Sequence, residues 1–151
     1  MSDYTGPGNY KIWSRHSGKV LDIGNGYNDG DILRIMTESS ASPRTVHQLF
    51  TITAVGGDEF LILHFQASLL ICPTSKKIHE SVHGYRACPQ KEGTRWKIIP
   101  AHDGSGSYYI ENAALPGQVL DVSGGQNADG TPIVLRDKNG SANQQFFIRL
   151  P

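Results

Sequence analysis

Asn143-Gln144-Gln145-Phe146-Phe147-Ile148 closes the last third of this 151-residue chain, and altered copies of it stand at His47-Gln48-Leu49-Phe50-Thr51-Ile52 and Thr94-Arg95-Trp96-Lys97-Ile98. The aromatics at 50, 96 and 146 are thus 46 and 50 residues apart. Each copy also opens alike, with Asn9-Tyr10-Lys11-Ile12, Glu59-Phe60-Leu61-Ile62 and Ser107-Tyr108-Tyr109-Ile110. A period of this size marks a repeat architecture whose single units cannot bury their apolar face alone. The repeats run roughly 8–55, 56–102 and 103–151, within one domain spanning 1–151.

Between these markers the apolar stretches are short. Val20-Leu21, Ile32-Leu33-Arg34-Ile35, Phe50-Thr51-Ile52, Val119-Leu120 and Ile133-Val134-Leu135 are each bounded by Gly, Asn, Asp, Ser or Pro, the punctuation of short strands. Seventeen glycines and eight prolines work against long helices. The expectation is an all-β domain with about four strands per repeat, three hairpin-rich units closing into a capped barrel that leaves no free edge. Phe50, Trp96 and Phe146 are expected to meet in a shared core.

Composition narrows the function. Fourteen basic residues balance fourteen acidic ones, and Lys76-Lys77 is the only basic doublet, so no field exists to hold a nucleic acid backbone or an anionic membrane. No apolar run reaches membrane-spanning length. The segment Met1 to Pro7 has neither a charged start nor an apolar stretch, so the expected location is cytoplasmic. Cys72 and Cys88 fit a reduced compartment, and their 16-residue separation permits a bridge if oxidised.

Val20-Leu21-Asp22-Ile23, Asp29-Gly30-Asp31-Ile32-Leu33 and His47-Gln48-Leu49-Phe50 form an ordered set. It returns as Val119-Leu120-Asp121-Val122, Asp129-Gly130-Thr131-Pro132-Ile133-Val134-Leu135 and Asn143-Gln144-Gln145-Phe146. Within a triple repeat, from about Gly8 to Leu150, this resembles the ricin B-chain type of lectin in the β-trefoil form known from mushrooms. The resemblance implies a non-catalytic protein without cofactor that binds galactose- or N-acetylgalactosamine-containing glycans, with defence against nematodes and insects as a role. The family's aspartate accepts bonds from two neighbouring sugar hydroxyls, which suits a carboxylate because it is an acceptor with two oxygens.

Carried over by position, the first repeat offers Asp22, His47 and Gln48, and the third offers Asp121, Asn143 and Gln144. The first is favoured. Gln48 and Gln144 read as buried braces of the carboxylates, while Asp22 and Asp121 could instead bond backbone amides of the following turn. Where the family places a stacking aromatic, this chain has Met36 and Arg136, so Tyr27 or His47 is the candidate replacement ring. In the middle repeat the aspartate position falls on Ile71 or Cys72 and the polar pair becomes Gly93-Thr94, so that site is expected to be dead. Because one shallow site gives only millimolar affinity, two sites or a homodimer would serve avidity.

Two competing signals remain. His79-Glu80-Ser81-Val82-His83 matches the His-Glu-x-x-His pattern of zinc proteases, with Cys72 and Cys88 on either side, but Arg86 and Pro89 depart from the longer signature and the segment occupies a strand position. It reads as a plain loop without metal. Asn25 to Asp31 and Gln126 to Gly130 resemble calcium loops but lack the acidic spacing, and read as turns. The alternative function is a β-trefoil inhibitor of proteases acting through exposed loops, which would have no use for the paired Asp and Gln residues.

Overall fold

The computed structural model describes residues 1–24, 28–41, 44–77 and 79–151, the side chains of Arg44 and Thr45 excepted. Among the described residues the chain forms twelve strands joined by turns and four short 3-10 segments. The first repeat contributes β1 (Gly8–Ser14), β2 (Val20–Ile23), β3 (Asp31–Met36) and β4 (Phe50–Ala54). The second contributes β5 (Phe60–His64), β6 (Leu70–Pro73), β7 (Val82–Tyr85) and β8 (Trp96–Pro100). The third contributes β9 (Tyr108–Asn112), β10 (Gln118–Val122), β11 (Ile133–Asp137) and β12 (Phe146–Arg149).

Six of these strands close a ring. β1 pairs with β4, β4 with β5, β5 with β8, β8 with β9, β9 with β12, and β12 returns to β1, all antiparallel. The remaining hairpins, β2–β3, β6–β7 and β10–β11, form a cap over one end. This is the β-trefoil architecture, in which closure leaves the barrel no edge to protect. Along β1 the alternation is visible, with Tyr10, Ile12 and Ser14 turned inward and Asn9 exposed. Phe50, Trp96 and Phe146 are all fully buried, as are Ile12, Ile62 and Ile110 from the first strand of each repeat.

The cap is stapled by its turns. Gly30 donates its N–H to the Gly84 carbonyl, Gly130 to that of Ile35, and His79 to that of Leu135. Each tie runs to an equivalent strand position one repeat on. Gly30 and Gly130 hold φ of +89°, and His79 stands in the same place with φ of +71°. The turn aspartates repeat the tie, since Asp29 accepts from the Arg86 N–H and Asp129 from the Thr37 N–H, each at 2.8 Å. The Lys19 ammonium and the Thr37 hydroxyl and N–H hold the Asp129 carboxyl below its usual range.

At the open end of the barrel Tyr4 lies among Tyr10, Phe60 and Tyr108, its ring centroid 5.5, 6.4 and 5.4 Å from theirs. Those three rings are the opening markers of the repeats. Burial, and to a smaller degree the neighbouring Tyr10 and Tyr108 phenols, push the Tyr4 phenol up to about 12. Its hydroxyl is buried without a partner.

Cys72 and Cys88 are joined by a disulfide. Bridging was one of two states the sequence left open. Register explains its place: Leu70 pairs with β5 as Val20 pairs with β1 and Val119 with β9, so Cys72 is the middle repeat's counterpart of Asp22 and Asp121. The choice between Ile71 and Cys72 therefore resolves to Cys72.

Candidate functional site

β2 and β10 each carry an aspartate at the last residue but one of the strand, and the neighbouring 3-10 turn supplies a glutamine behind it. Gln48 donates Nε2–H to Asp22 Oδ2 at 3.1 Å and to the Thr37 carbonyl at 3.0 Å, while its Oε1 accepts from the Ser39 N–H at 2.8 Å. Gln144 repeats this arrangement 96 residues on. It donates to Asp121 Oδ2 and to the Asp137 carbonyl, each at 2.9 Å, and accepts from the Asn139 N–H at 2.8 Å. Both glutamines are fully buried, and every polar atom of the two amides has work, as a buried amide requires. They act as braces that fix the carboxylates.

The two aspartates part company on their other oxygen. Arg34 faces Asp22 directly across the β2–β3 hairpin, and its Nε stands 3.3 Å from Asp22 Oδ1. Val134 holds that register position opposite Asp121, and Asp121 Oδ1 accepts instead from Asn143 Nδ2 at 3.2 Å. Asp22 is 0 % exposed. The carboxylate of the favoured first repeat is thus shut off from water, with a cross-strand guanidinium lying against it.

A cleft of about 330 Å³ opens in the third repeat, lined by Asp121, Gly124, Gly125, Arg136, Asn139, Ser141 and Asn143. Asp121 is 2 % exposed and forms part of its wall. The space beside it comes from two residues without side chains. Gly124 and Gly125 both hold φ of +64° in the turn after β10, a conformation other residues adopt at a cost. Asn143, besides its bond to Asp121, donates to the Val122 carbonyl at 3.2 Å. Arg136 projects into the same space, with its Nε 3.8 Å from Asp121 Oδ1, an ion pair without a hydrogen bond.

The remaining sequence candidates scatter. Met36 is 8 % exposed and pairs with Val20 where the hairpin meets β1, so it offers little open contact face. His47 is half-buried in the 3-10 turn Arg44–Gln48. Tyr27 lies outside the described residues. Sequence reasoning missed Arg34, Gly124, Gly125, Asn139 and Ser141. The signal for Arg34 was a lone charge in the apolar run of β3, and that for the glycines was an empty pair directly after an aspartate strand.

Among the described residues the middle repeat has no counterpart of this arrangement. The disulfide links Cys72 to Cys88, whose place three residues beyond Tyr85 matches Ser39 and Asn139 beyond Met36 and Arg136. A covalent link thus spans the two positions that Gln48 and Gln144 span by hydrogen bonds in the other repeats. The His-Glu-x-x-His stretch is a turn leading into β7, so its histidines do not share a helix face. His83 Nδ1 lies 2.9 Å from the Gly30 carbonyl and its Nε2 2.9 Å from Ser81 Oγ. Among the described residues no group of three His, Cys, Asp or Glu side chains could hold a metal ion.

Residues 47–136 and 95–149 match the family described as ricin-type beta-trefoil lectin domain-like. The chain belongs to that family. In structure this lectin domain is similar to the Rhizoctonia solani agglutinin, with a TM-score of 0.80 at 20 % identity over 98 % of each chain. It is similar to the Macrolepiota procera ricin B-like lectin in complex with lactose, with a TM-score of 0.80 at 18 % identity over 99 % of this chain and 100 % of that one. The C-half of the earthworm R-type lectin in complex with GalNAc has a TM-score of 0.72 at 26 % identity, over 94 % of this chain and 98 % of that one. No curated protein matches this lectin domain in sequence.

Proposed function

We propose that the protein is a non-catalytic lectin whose working site is the third-repeat cleft, where Asp121 accepts hydroxyls of a terminal galactose or N-acetylgalactosamine residue. The observation that carries this is a braced carboxylate at the wall of an open cleft. Asp121 spends one acceptor position of each oxygen on Asn143 and Gln144, which leaves lone pairs for two adjacent hydroxyls. Charge-assisted bonds of this kind are short and directional, so a fixed carboxylate distinguishes an axial from an equatorial hydroxyl. That lactose and GalNAc occupy the Macrolepiota and earthworm proteins supports a galactose-type ligand here.

A glycan array followed by competition with galactose, N-acetylgalactosamine and lactose tests the reading. Asp121→Asn is expected to abolish retention on galactosides, whereas Asp22→Asn is expected to leave it. Loss in the second variant alone would return the site to the first repeat. Inhibition of papain-type proteases without glycan retention would favour the inhibitor reading, which the braced carboxylates do not support.

With one working site per chain, pairing of two chains would supply the avidity that millimolar monosaccharide affinity needs, and light scattering checks it. A cytoplasmic location and a defence role belong to the same proposal. The Cys72–Cys88 bridge pulls against the first, since disulfides persist in oxidising compartments, and cell fractionation decides.

A further inference from the structure

We propose that the cleft at Asp121 selects galactose-type glycans bearing an anionic substituent, a carboxylate or a sulfate ester, which Arg136 binds. This rests on the lectin reading of the cleft. The argument begins with what the two arginines of the equivalent hairpins are doing. Arg34 has its Nε against Asp22 Oδ1 and a side chain that is 18 % exposed. Arg136 lies two positions further along its strand, is 38 % exposed, and stands too far from Asp121 for a hydrogen bond. Its Nε is buried without a hydrogen-bond partner.

The donors and acceptors of the cleft are therefore divided. Asp121 supplies acceptors at one side. Two of the side-chain donors beside it are occupied: Asn143 Nδ2 serves Asp121 and Val122, and the Ser141 hydroxyl donates to Asn139 Oδ1 at 2.6 Å. The guanidinium, with five N–H donors and no acceptor, is the donor-rich side. A neutral galactoside would satisfy Asp121 and leave the guanidinium bonded to water at best. A ligand that presents hydroxyls to Asp121 and a planar or tetrahedral anion to Arg136 satisfies both, and the fork of a guanidinium fits such anions with two parallel bonds.

Calorimetric titration of the intact protein with lactose, a sulfated lactose and a sialylated lactose tests this, at about 20 mM and about 500 mM sodium chloride, where screening differs widely. The expected result is roughly tenfold tighter binding of at least one acidic ligand than of lactose at low salt, a difference of about 1.4 kcal/mol. That margin is expected to shrink at high salt, and to fall to about one in Arg136→Gln. The sulfated and sialylated arms tell which anion is the source.

Equal affinity for neutral and acidic ligands, or a margin that survives both salt and Arg136→Gln, overturns the proposal and leaves the lectin reading standing. If wild-type protein binds none of the three, or Asp121→Asn binds all of them as before, the cleft reading falls and takes this one with it. Should Arg136→Gln not fold, the salt dependence of the wild type alone decides.

Discussion

One guanidinium separates two aspartates that look interchangeable when read along the chain. Asp22 is buried against Arg34, and removing that partner strands a charge away from water. Arg34→Val, which copies the third repeat at that position, is expected to destabilise the protein by about 3–5 kcal/mol, read from urea denaturation. Adding Asp22→Asn should recover most of the loss, and equal loss in single and double variants would contradict this account. A second residue carries strain of its own. His79 holds the left-handed conformation that glycine holds in the other two cap turns. His79→Gly should therefore stabilise by up to about 1 kcal/mol, and a lower urea midpoint would refute it. Neither feature was legible in the sequence. The role of Arg34 needs the hairpin register, and the backbone angle of His79 leaves no mark in residue identity, so a five-residue match to a metal motif stood in its place.

Single elements lock the repeats to one another. His64, at the end of β5, reaches back to the turn of the first repeat: its Nε2 lies 2.8 Å from the Val46 carbonyl, and its Nδ1 accepts from the Ala67 N–H at 3.1 Å. That pattern requires a neutral ring protonated on Nε2. Burial is the main cause that lowers its pKa, outweighing the bond to Val46. Above pH about 6.5 the histidine is neutral in both folded and unfolded chains. As pH falls below that value, the unfolded chain takes up a proton that the folded one resists, so stability declines toward the lowered folded pKa. Urea midpoints at pH about 7.5 and about 5.5 should differ in the wild type and differ less in His64→Asn. Asparagine suits the position, since Asn112 at the end of β9 donates to the Gly93 carbonyl and accepts from the Ala114 N–H. The strands themselves were legible because short apolar runs with glycine punctuation recur three times. The buried polar ends of β5 and β9 were not, because a histidine or asparagine at a strand end reads as surface.

Across the whole molecule the three repeats solve one problem in two ways. Glutamine spans the aspartate and the segment beyond the hairpin in the outer repeats, and the Cys72–Cys88 bond does so in the middle one. Closing a loop of this length restrains the unfolded chain by about 3 kcal/mol. Reduction, or Cys72→Ser with Cys88→Ser, should lower the melting temperature by roughly 6–12 °C, at about 2–4 °C per kcal/mol. An unchanged melting temperature would mean the bond adds nothing. Three-fold closure could be expected from the aromatic spacing, since Phe50, Trp96 and Phe146 had to converge. The bridge could only be left open, because sequence separation says nothing about how far apart two side chains lie.

Tyr4 marks the limit of that symmetry. Three related rings from three units surround it at the base of the barrel, yet it belongs to none of them. A trimer assembled from identical copies of one unit would arrive with three such tyrosines and a central hole suited to a single phenol, so two would be turned away. Joining the units in one polypeptide removes the conflict, and a lone odd residue becomes the plug for an otherwise even-handed ring.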